Sequence, residues 1–224
     1  MLDYRVISIG CLSQHPLWQE TGQPRSAHAT TTLIRVDGRA ILVDPALPAQ
    51  ALDARTQERA GLRLSQITDV FLTNFRPAHR RALPEMQQAK WWIHEPEREM
   101  VGVNLIGQLE EAGDEQLRDL VEQDIALLQR CQPAPDGLAK QVDLFPLPGF
   151  TPGGCGLLLA LAHATVLIVG DAIPTAEHLE HGQVLAGAFD LDQAQASFTE
   201  AIEIADWIIP GHDNLMPNLT RRMF

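Results

Sequence analysis

Three short apolar runs, each cut off by polar residues beside a glycine or a proline, constrain this 224-residue chain more than any other feature. Ile67 to Thr73 runs into the polar segment Asn74 to Arg81. Thr165 to Val169 runs into Gly170-Asp171, and Trp207 to Ile209 into Pro210-Gly211-His212. Runs this short and this rich in Val and Ile read as buried strands rather than helices. Polar groups on the loops that follow such strands are held by a rigid sheet, which is where sites are usually built. If the three ends converge, His79, Asp171 and His212 form a two-His, one-carboxylate set. That set leaves coordination positions open and suits Zn, Fe(II) or Mn. Spacing along the chain does not by itself bring them together.

The remaining pattern is mixed. Tyr4 to Cys11 reads as a strand. Ala29 to Val36 and Arg39 to Val43 flank Asp37-Gly38, a hairpin signal because both turn residues need positive φ. Leu47 to Gly61 carries helical spacing after Pro48 and stops at a glycine. Trp91 to His94 reads as a strand, Glu95 to Arg130 as mostly helical with a break near Gly113, and Cys131 to Gly137 as a Pro-rich loop. Strands follow at Gln141 to Leu147 and Gly156 to Ala162, the latter turning at His163-Ala164 into Thr165 to Val169. An amphipathic helix spans Asp192 to Ala205. Strands and helices in both halves predict a layered α/β or α+β sandwich. No composition break divides the chain, so residues 1–224 read as one domain.

Acidic residues number 29 against 17 basic ones, a net charge of −12. That balance argues against nucleic acid, whose phosphates need clustered Lys and Arg, and against an anionic membrane surface. The expected partner is a small molecule. Cys11, Cys131 and Cys155 are too widely spaced for a zinc knuckle or a disulfide framework and read as thiols in a reducing compartment. Together with an N-terminus, MLDYRVISIG, that lacks the pattern of a secretion signal, this makes a cytoplasmic location the expectation. A serine-hydrolase elbow and a P-loop are both missing from the sequence.

Five segments, in order, resemble the landmarks of the metallo-β-lactamase superfamily: ILVDPAL, ITDVFLTNFRPAH, LPGFTPGG, VLIVGDAIPT and IIPGHDN. The resemblance runs almost end to end and implies a four-layer αββα sandwich of the α+β class. It also implies a hydrolase-like protein with a degenerate metal site. The family motif is Thr-His-x-His-x-Asp-His. Here Thr73 and His79 are kept, while Asn74, Arg76 and Ala78 replace the first His, the second His and the Asp. Phe150 replaces the His of the Pro-Gly-His segment, and Asp171 and His212 are kept.

The resemblance implies that the first metal site, at the positions of Asn74, Arg76 and Phe150, is lost, since Arg76 carries a fixed positive charge that repels a cation. The second keeps His79, Asp171 and His212. Two readings stay open. In one, at most one divalent ion (Zn, Fe or Mn) is held by those three and drives hydrolysis of a small ester, thioester or lactone, with Asp171 and Arg76 as catalytic groups. In the other, Arg76 replaces the metal by pairing with Asp171, no metal binds, and the pocket serves a catalytically inactive binding or regulatory protein.

Arg76, Arg80 and Arg81 cluster in an otherwise acidic chain, Arg80 and Arg81 at the expected start of a helix. Arg76, Arg80 and Asn74 are therefore candidate contacts for an anionic ligand. His178 and His181, whose spacing of three suits one face of a helical turn, are further candidates to reach the pocket, as substrate contacts, replacement ligands or a general base. The helical stretch 95–130 is expected either to cover the site or to make a homodimer contact.

Overall fold

The computed structural model describes residues 1–18 and 20–220. Two six-stranded sheets form its centre. The first takes β1 (Asp3–Ser8), β2 (Thr31–Val36), β3 (Arg39–Val43), β4 (Asp69–Leu72), β5 (Lys90–Ile93) and β6 (Gln132–Pro133) in chain order. The second contains β7 (Gly137–Ala139), β8 (Val142–Pro146), β9 (Cys155–Ala160), β10 (Thr165–Gly170), β11 (Trp207–Pro210) and β12 (Met216–Pro217), in the order β12-β11-β10-β9-β8-β7. The helices are α1 (Ala49–Ala60), α2 (Glu95–Glu111), α3 (Glu115–Arg130), α4 (Ala176–His181) and α5 (Leu191–Ile204).

The alternation of side chains along each strand explains the layering. In β2 and β3, Leu33 and Leu42 point outward to the helices, while Ile34, Ile41 and Val43 point to the other sheet. In β4, Val70 and Leu72 face outward and Phe71 inward. In β10, Val166 and Ile168 meet the first sheet, while Leu167 and Val169 pack with Phe198 and Ala201 of α5. A period of two therefore feeds both faces of each sheet, and both faces are buried. Each such fully buried Leu, Ile or Val contributes roughly 1.5–3 kcal/mol relative to exposure. The result is the expected helix–sheet–sheet–helix sandwich.

The local signals hold where they carry a physical reason. Asp37 and Gly38 have φ of 49° and 79°, and β2 and β3 pair antiparallel across them. Gly61 ends α1 in the left-handed conformation at φ 68°. The mid-chain helix breaks around Gly113, where Asp114 caps α3 by accepting from Gln116 N–H at 2.9 Å. Two local readings need correction. The Pro-rich segment from Cys131 holds a short strand, β6, added in parallel to β5 as an edge, the position where a strand tolerates proline. Arg80 and Arg81 do not begin an α-helix; they lie between two 3-10 turns, Pro77–His79 and Leu83–Glu85, because prolines at both turns deny the backbone donors of a longer helix.

The sheets are brought together at one end by a missing side chain. Gly170, at φ 54°, ends β10 so close to the residue after β4 that a Cβ there would lie 2.6 Å from Thr73 Oγ1. The last strand of one sheet's centre and the polar segment of the other thus meet in contact. Among the described residues no helix is long and apolar enough to cross a membrane.

Candidate metal-site remnant

The three strand ends converge. The ligand atoms of His79, Asp171 and His212 all lie within 4.8 Å of one another, and all three residues are buried. Asp171 is the hub. Its Oδ1 lies 2.9 Å from His212 Nε2 and its Oδ2 lies 3.1 Å from His79 Nε2. The same Oδ2 accepts from the Asn74 amide at 3.1 Å and from Arg76 Nη1 at 3.3 Å. Asn74 is itself oriented by the Arg76 backbone N–H, which donates to its Oδ1 at 3.0 Å.

Each histidine is fixed from behind. His212 Nδ1 donates to the carbonyl of His28 at 2.9 Å. His79 Nδ1 faces Asp44 Oδ2 at 3.0 Å. Asp44 follows β3 in a left-handed conformation, φ 50°, which is uncommon for a residue with a side chain. That turn aims its carboxylate across to the end of β4, where it also accepts from Thr73 N–H at 2.9 Å and Thr73 Oγ1 at 2.7 Å. Asp44 is the functional residue that sequence reasoning passed over. It stands in the quoted segment ILVDPAL, but nothing in the spacing ties it to His79.

The charges follow from this geometry. Burial opposes a charge on His79, but the carboxylates of Asp171 and Asp44 at its two nitrogens outweigh it and raise its pKa to about 10. Burial likewise favours a neutral Asp171, yet His79 and His212 hold its carboxyl well below the usual carboxylate range.

The expected ligand contacts divide. Arg76 is at the mouth: its side chain is 49% exposed, and its guanidinium stacks 4.8 Å from the centre of the Phe150 ring. It lines a cleft of about 370 Å³ together with Ala78, Phe150, Leu185 and His212. Arg80 does not reach that cleft. It is buried, donates to the Phe75 carbonyl at 2.7 Å and to Asp124 at 2.6 Å, and stacks on the Phe75 ring, so it ties the fold together instead. His178 is buried outside the cleft against Thr175 Oγ1 at 2.8 Å, beside His15, and burial pushes its pKa down to about 4. His181 is exposed and bonds the Glu177 carbonyl at 2.7 Å. Helical spacing placed both on α4 correctly, but α4 turns them away from Asp171.

The fit of this donor set to metals is mixed by position. Asn74, Arg76 and Phe150 fill one half of the site with an amide, a guanidinium and a ring, and these do not fit the metal pair that the family resemblance implies. The other half, His79, Asp171 and His212, has the donor chemistry for one ion, with both Nε2 atoms aimed at the same carboxylate.

Two stacked sheets flanked by helices, with a His/Asp cluster at the strand ends, define the metallo-hydrolase class of sandwich. The family described as the metallo-beta-lactamase superfamily matches residues 27–212, and the chain belongs to it. It is a hydrolase-like protein of that fold. Among curated protein sequences none matches. Several solved structures are similar. A Thermotoga maritima protein described as a metallo-beta-lactamase superposes with a TM-score of 0.70 at 18% identity, covering 96% of this chain and 99% of that one. AidC, a dizinc quorum-quenching lactonase, gives 0.65 at 19% identity over 83% of this chain and 72% of its own. A quorum-quenching N-acyl homoserine lactone lactonase gives 0.64 at 18% identity over 95% and 91%. At these identities the likeness is one of fold.

Proposed function

We propose that this chain binds a small anionic molecule at the mouth of a metal site that it has rebuilt from protein groups. The single observation that carries the reading is Arg76. One guanidinium nitrogen sits 3.3 Å from Asp171 Oδ2, and the half-exposed remainder borders the cleft. Arg76 thereby does two things. It supplies positive charge to a buried carboxylate that would otherwise be costly, and it offers further N–H donors in a planar fork suited to a carboxylate or phosphate. Phe150 beneath it holds the guanidinium plane.

A second reading is favoured by a different observation, the convergence of His79, Asp171 and His212. These three would hold one divalent ion, which when bound supplies a Lewis acid for hydrolysis of a small ester, thioester or lactone. In that reading Arg76 steadies the developing oxyanion and Asp44 keeps His79 oriented. The lactonases among the similar structures suggest the lactone as the first substrate to try.

One experiment separates the two. The protein is purified without added metal, and bound metal is measured by elemental analysis, before and after soaking in Zn, Mn or Fe(II), in wild type and His79→Ala. In parallel, a thermal-shift screen of small carboxylates and phosphates is run on wild type and Arg76→Ala. The anion reading expects no stoichiometric metal and a stabilising anion whose affinity falls about 10–100-fold in Arg76→Ala, the loss of one charge-assisted pair. One ion per chain, lost in His79→Ala, establishes the metal reading instead. Unchanged anion affinity in Arg76→Ala removes the first.

A further inference from the structure

The outer face of the α2–α3 pair carries a groove that takes no part in the site above. Its volume is about 370 Å³, within the range of small-molecule sites. Gly102, Val103 and Ile106 of α2 and Ile125 and Leu128 of α3 line it, with Arg98 and Glu99 at one end. None of these residues borders the cleft at Arg76. Val103 and Ile106 are exposed, although both are apolar.

Two features set this groove apart from an ordinary seam between helices. The first is Arg98. Its Nε is buried and has no hydrogen-bond partner, and among the described residues its guanidinium makes no ion pair, even with Glu99 beside it. A buried N–H without an acceptor is costly, and a carboxylate is the acceptor that suits a guanidinium best. Its neighbours do not supply one. Burial pushes the Cys131 thiol up to about 12, and the nearby guanidiniums of Arg80, Arg98 and Arg130 oppose that rise. Of these three, Arg80 is paired with Asp124, while Arg130 stacks on Trp91 and donates to the Gln87 carbonyl. The second feature is Gly102. A glycine inside a helix costs stability relative to alanine. Packing does not require it here, since an added Cβ would meet one neighbouring atom, Leu128 Cδ2, at an ordinary 3.7 Å. The missing side chain leaves the floor of the groove open.

We infer that this groove binds a free carboxylate bearing one unbranched alkyl chain, its head on the Arg98 guanidinium and its tail along Gly102, Val103 and Ile106. From Arg98 to Ile106 the helix rises about 12 Å, the reach of an extended chain of about ten carbons. The planar guanidinium fork suits a carboxylate, and the apolar walls shed water when the tail covers them. A second copy of the chain fits less well. A stable interface needs roughly 800 Å² from each partner. The exposed large apolar side chains that line this groove are Val103 and Ile106, which supply far less. The binding needs neither a metal nor an anion in the cleft, so it is independent of both functional readings.

The test is isothermal titration calorimetry with decanoate and, as a cation of equal chain length, decyltrimethylammonium, both below their micelle concentrations. Wild type is compared with Arg98→Gln, Gly102→Leu, Ile106→Ser and Arg76→Ala, with melting curves to show that each variant folds and light scattering to give its mass. The expected result is one decanoate per chain, with affinity lower by about tenfold in Arg98→Gln and unchanged in Arg76→Ala. Gly102→Leu, which fills the floor, should lose more. Ile106→Ser, at an exposed position, should lose about threefold or more, and it carries the test of the tail if Gly102→Leu does not fold. Decanoate should bind more tightly than decyltrimethylammonium. No binding of decanoate, or unchanged affinity in Arg98→Gln, overturns the site. A loss in Arg76→Ala places decanoate in the cleft instead. Equal or tighter binding of the cation overturns the preference for a carboxylate. A dimer that Ile106→Ser separates into monomers assigns the groove to a second copy and overturns the inference.

Discussion

Replacing Asp44 with Ala should be among the most damaging single changes in the chain. Three donors depend on its carboxylate: Thr73 N–H, Thr73 Oγ1 and His79 Nδ1, at 2.9, 2.7 and 3.0 Å. All are buried, so no water replaces the lost acceptor. An unpaired buried donor costs about 1–3 kcal/mol, and breaking a buried charge pair about 3–5 kcal/mol. Taking the pair as the dominant loss, because His79 sheds charge in response, gives about 3–5 kcal/mol in total. For a chain of this size that corresponds to a melting temperature lower by about 6–20 °C. The assay is urea denaturation of wild type, Asp44→Ala, His79→Ala and the double variant, with stability taken from midpoints at constant slope. The double variant should lose much less than the sum of the singles, because both remove the same contact. A loss below about 1 kcal/mol for Asp44→Ala, or strict additivity with His79→Ala, would mean that Asp44 does not hold His79.

Further expectations concern pH, packing and the two arginines. His79 has its folded pKa raised from 6.5 to about 10, so its contribution to stability is complete below pH 6.5 and is lost as pH rises through 10. The wild-type minus His79→Gln difference in urea midpoint should shrink across that window, and a flat difference would contradict a charged His79. Asp171, depressed instead, stabilises above the ordinary carboxylate value and should lose its contribution as pH falls through its lower folded value, visible as a difference from Asp171→Asn in acid. Gly170→Ala should destabilise by more than about 1 kcal/mol, since the new Cβ meets Thr73 in a backbone conformation that favours glycine; an unchanged melting curve would refute this. Arg80→Ala should lower stability by about 1–3 kcal/mol while leaving anion affinity intact, which sets it apart from Arg76→Ala, where anion affinity falls.

Much of the architecture was legible because it rests on local rules. The Asp37-Gly38 hairpin, the glycine stop after α1 and the alternation in β2, β3, β4 and β10 each follow from backbone sterics or from a period of two. The strands β6, β7 and β12 escaped notice because two or three residues carry no period, and two of them include a proline. At the site, His79, Asp171 and His212 were legible because each lies in the segment that follows a strand and matches a family segment. Asp44 was not, since its role depends on one left-handed residue that redirects a side chain across two strands. Arg80 misled for a related reason. Its sequence neighbour Arg76 faces the cleft, but the intervening 3-10 turn sends Arg80 to Asp124 and the Phe75 carbonyl, a direction that adjacency in sequence cannot encode.

The pairing of Arg76 with Asp171 has one more consequence. An ion held by side chains comes and goes with its supply and yields to any stronger chelator. A guanidinium on a tether is present in every copy of the chain from the moment it folds, at a local concentration fixed by the backbone. The charge facing Asp171 is therefore written in the gene rather than drawn from the surroundings, and scarcity of metal cannot strip it away.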